Sequence, residues 1–160
     1  MRVRGMQASD AEAVAAIYNE GIRGRGATFQ TVERSVGDVA GWPEESDRYP
    51  VVVAEADGEV VGWARASSYS GFEAYAGVGE LAIYVTGSAR GSGVGRALVD
   101  GLAGAARERG YWKLIAKVFP TNDGSIRLLH RCGYRDVGLH LRHGQLDGEW
   151  RDVLLLEQPL

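Results

Sequence analysis

The run Gly79-Glu80-Leu81-Ala82-Ile83-Tyr84-Val85 has the make-up of a β-strand, and a few residues later comes Arg90-Gly91-Ser92-Gly93-Val94-Gly95-Arg96, which opens a helical pattern reaching about Arg109. A strand that feeds a glycine-rich turn and then a helix leaves several backbone N–H groups unpaired at the helix N-terminus, where the macrodipole favours negative charge. Glycine serves there because a Cβ would hold an anion away from the amides, and because turn positions with φ > 0 cost it little. The stretch is a candidate phosphate cradle.

What the stretch lacks narrows the ligand. A P-loop ends in Gly-Lys-Ser/Thr, whereas Gly95 is followed by Arg96-Ala97, so neither the lysine nor the magnesium-binding hydroxyl is present. The dinucleotide fingerprint G-x-G-x-x-G fails as well, since its third glycine falls on Arg96 when counted from Gly91 and on Leu98 when counted from Gly93. The pattern that fits is Arg-Gly-x-Gly-x-Gly.

At 160 residues, 45% hydrophobic and 24% charged, the chain has the size of one globular domain, expected to span 1–160. A net charge of −3 with scattered arginines gives no global attraction to nucleic acid. One cysteine (Cys132), no basic-plus-apolar leader and no long apolar run point to a cytoplasmic protein without disulfides or a membrane span.

In chain order, Val3 to Met6 is a strand, and Ser9-Asp10 caps a helix with Ala13, Val14, Ile17 and Tyr18 at helical spacing, ended by Gly21, Gly24 and Gly26. A poorly patterned helix is expected from Val36 to about Ser46. The strand Pro50–Glu55 turns at Asp57-Gly58 into an antiparallel partner, Val60–Ala64. Behind the glycine loop, Val94, Leu98 and Leu102 with Ala97 and Ala105 form an apolar face. Lys113–Phe119 is a strand, Thr121-Asn122-Asp123 opens a helix through Cys132, and two strands near Tyr134–Leu141 and Arg151–Glu157 close the chain. This order predicts an α/β (α+β) fold, a mixed sheet with helices on both faces.

The glycine pattern resembles the acetyl-CoA pyrophosphate loop of the GNAT superfamily of N-acetyltransferases. Asn122-Asp123-Gly124-Ser125-Ile126 with Gly133-Tyr134 resembles its second signature, N-x-x-S-I/V and a later Gly-Phe/Tyr. Ile17-Tyr18-Asn19-Glu20, Ala74-Tyr75, Glu80 with Tyr84-Val85, and Gly148 to Val153 are similar to the phosphinothricin and methionine-sulfoximine N-acetyltransferase branch, in register over nearly the whole chain. The resemblance implies a mostly antiparallel sheet splayed at one parallel pair beside the cofactor loop, acetyl-CoA as co-substrate, no metal, a small amino-acid-like amine as acceptor and a homodimer. It also implies contacts to the cofactor from Ile83, Tyr84, Val85, Arg90, Gly91, Ser92, Gly93, Val94, Gly95, Arg96, Asn122 and Ser125, and to the acceptor from Phe29, Tyr75 and Glu80.

Acetyl transfer from a thioester to an amine needs a base for the ammonium, donors for the developing oxyanion and a proton for the thiolate. Glu80 is the base candidate, on one strand face with Ala82 and Tyr84; a strand carboxylate is otherwise solvated or ion-paired. Backbone N–H groups near Ile83–Val85 are the oxyanion donors that the resemblance implies. Tyr84 or water is left to protonate the thiolate, because Leu129 stands where the family often has His or Tyr, with His130 one place later. Asn122 is a pantetheine contact, a helix N-cap, or both; Arg90 and Arg96 are phosphate contacts or solvated loop residues. Cys132 is expected in the core, and His140 and His143, an odd number apart on a strand, on opposite faces.

Departures from the branch concern the acceptor. Ser70 and Ala76 stand where it often has Arg, and Asp147 where some phosphinothricin enzymes have His. Arg23, Arg25, Arg65 and Arg142 are the possible replacements, and phosphinothricin is expected to be a poor substrate. The alternative of a different class is a non-catalytic acyl-CoA-binding or regulatory module on the same fold.

Overall fold

Val51, Val52, Val53 and Ala54 are all buried, because both faces of this strand are covered. The computed structural model describes residues 1–160 and places the strand in a seven-stranded sheet of order β1-β2-β3-β4-β5-β7-β6. The strands are β1 (Arg2–Gly5), β2 (Val51–Ala56), β3 (Glu59–Ser68), β4 (Val78–Val85), β5 (Lys113–Val118), β6 (Arg135–Leu146) and β7 (Glu149–Pro159). The helices are α1 (Ala11–Arg23), α2 (Val36–Ala40), α3 (Val94–Glu108) and α4 (Asp123–Arg131). None is long and apolar enough to cross a membrane.

Every neighbouring pair of strands is antiparallel except β4 and β5, which run parallel through Val78–Glu80 against Lys113–Ile115 only. Beyond that short register β4 continues to Val85 paired with β3 alone, and β5 to Val118 paired with β7 alone. The sheet therefore opens between them towards the C-terminal end of β4.

Alternation along β4 sends its side chains to two separate cores. Leu81, with Ile83 and Val85 packed beside it, joins Leu98, Val99, Leu102, Leu114 and Leu129 under α3 and α4. Ala82 and Tyr84 pack against the other core, where Val14, Ile17, Tyr18 and Ile22 of α1 meet Val39, Val53 and Trp63.

Several boundaries depart from the sequence reading. Gly21 does not end α1; it lies inside it, and a Cβ there would come within 2.4 Å of the Tyr84 ring. That close approach explains a glycine in mid-helix despite its low propensity. The helix expected from Val36 to Ser46 shortens to five residues, because Gly41 and Pro43 favour turns over propagation. Ser9 caps nothing; Asp10 accepts from the backbone N–H of Gln7 at 2.8 Å and anchors a short 3-10 turn ahead of α1. The hairpin turn at Asp57-Gly58 stands as read, with φ of 52° and 80°. His140 and His143 do not lie on opposite faces: a register irregularity between His140 and Gly144, with Arg142 at φ 48°, stacks their rings 4.3 Å apart.

Candidate functional site

The glycine loop sits at the mouth of the opening between β4 and β5. A short 3-10 turn, Gly87–Ala89, leads from β4 into it, and Gly91 and Gly93 adopt φ of 75° and 89°, which only glycine holds without strain. Gly93 is the N-cap of α3 and offers no side chain; the first helical bond runs from Ala97 N–H to its carbonyl. No backbone carbonyl accepts from the N–H groups of Gly91 to Arg96. A row of amides thus faces out of a 15-residue helix.

The third glycine has another reason to be there. A Cβ on Gly95 would stand 2.9 Å from Leu128 Cδ2, so Gly95 lets α4 close on α3. Added Cβ atoms at Gly91 and Gly93 would meet nothing, and those two positions keep the space in front of the amides open.

Around this loop lies a cleft of about 740 Å³ lined by Ile83, Tyr84 and Val85, by the loop, and by Asn122, Ser125, Arg127 and Arg131 of the α4 end. Asn122 caps α4, its side-chain oxygen accepting from Ser125 N–H at 3.2 Å, while it also lines the cleft. Arg90 donates from Nε to the Val85 carbonyl at 3.3 Å, and Arg96 lies 3.6 Å from Asp100, so both keep donors free. Arg127 and Arg131 were missed in the sequence. Four residues apart on α4, they share a helix face, and that spacing was the available signal.

Two side chains expected among the contacts take no part in the lining. Val94 is buried in the core, and the Ser92 hydroxyl donates to the Ala89 carbonyl, which tightens the turn. Their backbone N–H groups remain in the amide row.

Tyr84 reaches the cleft from a buried aromatic cluster. Its ring lies 5.0 Å from that of Trp63 and 4.8 Å from that of Tyr18. Burial pushes its phenol up to about 12, so it keeps its proton at neutral pH. The α1 residues that precede Gly21 hold neighbouring loops in place. Asn19 clasps both the N–H and the carbonyl of Arg34, at 2.7 Å and 2.9 Å. Glu20 accepts from Gly87 N–H at 2.7 Å and from Thr86 Oγ1 at 2.9 Å, and these bonds hold its carboxyl below the usual range.

Glu80 stands on β4 beside the last rung of the parallel register, paired with Ile115 on one side and Ser67 on the other. Its carboxylate is 3.3 Å from Lys117 Nζ, an ion pair whose partner the sequence could not name because it depends on the β4–β5 pairing. Phe29 and Tyr75 are not brought together. Phe29 packs edge-on to Phe119 at 4.9 Å and covers Gly144, whereas Tyr75 meets Tyr69 and Phe72 beside a second cavity of about 660 Å³ that Ser70 and Ala76 also line. His130 turns away from the cleft, its Nε2 2.7 Å from Asp136, and Leu129 is buried in the core, as is Cys132. Asp147 is ion-paired with Arg25 at 3.0 Å.

An open sheet, an amide row and a basic rim suit an extended anionic ligand. Residues 14–134 match the model of the acetyltransferase (GNAT) family. The L-methionine sulfoximine/L-methionine sulfone acetyltransferase of Pseudomonas aeruginosa is 30% identical, over 99% of this chain and 94% of that one. Among solved structures, ribosomal-protein-alanine N-acetyltransferase from Brucella melitensis superposes with TM-score 0.94 at 34% identity over the whole of both chains. A GNAT superfamily phosphinothricin acetyltransferase from Sinorhizobium meliloti, in complex with AcCoA, superposes with TM-score 0.90 at 31% identity, over 99% of this chain and 88% of that one. The strand order, with its single parallel pair at the glycine loop, is the fold that these structures share, and the chain belongs to the GNAT family of N-acetyltransferases.

Proposed function

We propose that this N-acetyltransferase moves the acetyl group of acetyl-CoA to the primary amine of a small amino-acid-like molecule of the methionine-sulfoximine and phosphinothricin kind, by direct attack with Glu80 as general base. The observation that carries the reading is the opening of β4 from β5 next to the amide row, with Glu80 on the same strand just before the opening begins. The residues present suit the cofactor: the N–H groups of Gly91–Arg96 and the rim arginines suit its phosphates, and Asn122 and Ser125 its pantetheine arm. Acetyl-CoA supplies the activated thioester.

The protein's own groups supply the rest. Glu80 accepts the ammonium proton, directly or through water, and Lys117 keeps the carboxylate in place. The Thr86 N–H bonds to Val61 of β3, so by alternation the amides of Ile83 and Val85 face the other, unpaired edge of β4 and hold the negative charge that develops on the carbonyl oxygen. Tyr84, protonated at neutral pH and lining the cleft, gives its proton to the departing sulfur. No cysteine nucleophile takes part.

Ser70, Ala76 and Asp147 favour an acceptor other than phosphinothricin, since the first two supply no charge and Arg25 already pairs with Asp147. Thiol release from acetyl-CoA, measured across phosphinothricin, methionine sulfoximine, the common amino acids, simple amines and an alanine-terminated peptide, tests this. We expect turnover with a methionine-like amino acid and a lower kcat/KM for phosphinothricin. A phosphinothricin value far above all others would overturn the reading of those three residues. Turnover confined to the peptide would overturn the small-molecule reading, and binding without turnover of any amine would favour the non-catalytic module.

A further inference from the structure

Of the four arginines that could replace a missing anion clamp, three are engaged away from Glu80, two of them exposed and Arg25 half-buried. Arg23 pairs with Glu33, Arg25 with Asp147, and Arg142 lies over the Trp150 ring. Arg65 is different. It pairs directly with Ala82 of β4, flanked on β3 by Trp63 opposite Tyr84 and by Ser67 opposite Glu80. Directly paired residues share a sheet face, and diagonal neighbours are about 7–8 Å apart, so Arg65 rises beside Glu80 and Tyr84 with only a methyl group between them.

Its surroundings leave the guanidinium under-used. The side chain is 16% exposed and lies 4.6 Å from the Trp42 ring and 5.6 Å from the Tyr49 ring. Its one hydrogen bond runs from Nη2 to Glu45 at 2.6 Å, and Glu45 is itself more than half exposed. Nε is buried without a partner. A guanidinium presents five donors in a fork that matches a carboxylate, and leaving such donors buried and unmatched is costly.

We propose that Arg65 holds the carboxylate of the acceptor and thereby selects α-amino acids over other primary amines, an inference that rests on the acceptor reading given above. The amine and carboxylate of an α-amino acid hang on one carbon. An acceptor whose amine meets Glu80 therefore directs its carboxylate towards the neighbouring strand, where Arg65 stands. Glu45 takes up one Nη donor and leaves the others for the substrate.

Steady-state kinetics with L-methionine and L-methioninamide test this in the wild type and in Arg65→Met, Arg65→Lys and Glu45→Gln. Arg65→Met should raise KM for methionine at least about tenfold, as loss of a charge-assisted pair does, and leave methioninamide nearly unchanged. Arg65→Lys should fall between, and Glu45→Gln should lower KM for methionine by freeing the fork. If Arg65→Met does not fold, by circular dichroism, the lysine and Glu45 variants carry the same comparison. Equal losses for both substrates would make Arg65 a packing residue only and overturn the proposal, as would a wild type that uses both equally well. A wild type that releases no thiol with either, but does so with other amines, would overturn Arg65 and spare acetyl transfer; release with no amine at all would sink both.

Discussion

Glu80 and Tyr84 share a face of β4, with Ala82 between them, and their surroundings differ in a way that suits opposite tasks. The carboxylate of Glu80 is 31% exposed and ion-paired with Lys117, whereas Tyr84 is half-buried among aromatic rings and its phenol holds its proton to about pH 12. Glu80→Gln keeps the shape and removes the proposed base. Its acetylation rate at neutral pH should fall by about 10²–10⁴, with acetyl-CoA affinity retained and part of the rate returning at high pH, where the amine deprotonates unaided. A wild-type rate and pH profile would make Glu80 structural. Residues like these are legible in a sequence because their chemistry and strand parity are local. Lys117 and Arg65 were not legible as their neighbours, since each meets them only through pairing with another strand.

At the scale of elements, the glycine loop was the most legible part of the chain. Strand, turn and helix are consecutive, so composition and spacing alone locate the amide row. The same local reading could not separate the duties of its glycines: Gly95 lets α4 close on α3, a tertiary fact, while Gly93 turns the chain at φ 89° with open space in front. Gly93→Val should block the close approach of phosphate and weaken acetyl-CoA binding at least tenfold, about 1.4 kcal/mol. Calorimetric titration of the folded variant decides this; unchanged affinity would remove the loop from the site. The stacking of His140 on His143 escaped the sequence because a bulge cancels the parity on which the reading of opposite faces relied.

For the whole molecule, the N-terminal segment is tied down by charge as well as by the burial of Met6 and the packing of Val3 on the core under α3. Arg4 of β1 donates to Asp10 at 2.7 Å and 3.0 Å and to Glu55 of β2 at 2.9 Å and 3.1 Å, which joins β1, the start of α1 and the sheet. Hydrogen bonds from the Arg4 guanidinium, chiefly, and the Gln7 amide hold the buried Asp10 carboxyl below its ordinary 3.8. The unfolded chain then binds that proton more tightly than the folded one. The stabilisation is complete above the unfolded value and is lost as pH falls through the lower folded value. Asp10→Asn should destabilise the protein by about 1.5–3 kcal/mol at neutral pH and flatten its loss of stability in acid, as read from urea melts at a series of pH values. A mutant that parallels the wild type at every pH would show that Arg4 finds equal compensation in Glu55.

The parallel register that stops after Glu80 also sets how the molecule opens to solvent. Beyond it the edge of β4 that faces β5 has no ladder partner, so amides there have no strand to shield them from exchange with water. A cofactor seated along that edge would supply the missing acceptors. In hydrogen-exchange terms, the slowest and fastest parts of the same strand then lie a few residues apart, and the difference between them shrinks as acetyl-CoA becomes abundant. The strand would report cofactor supply through its own protection.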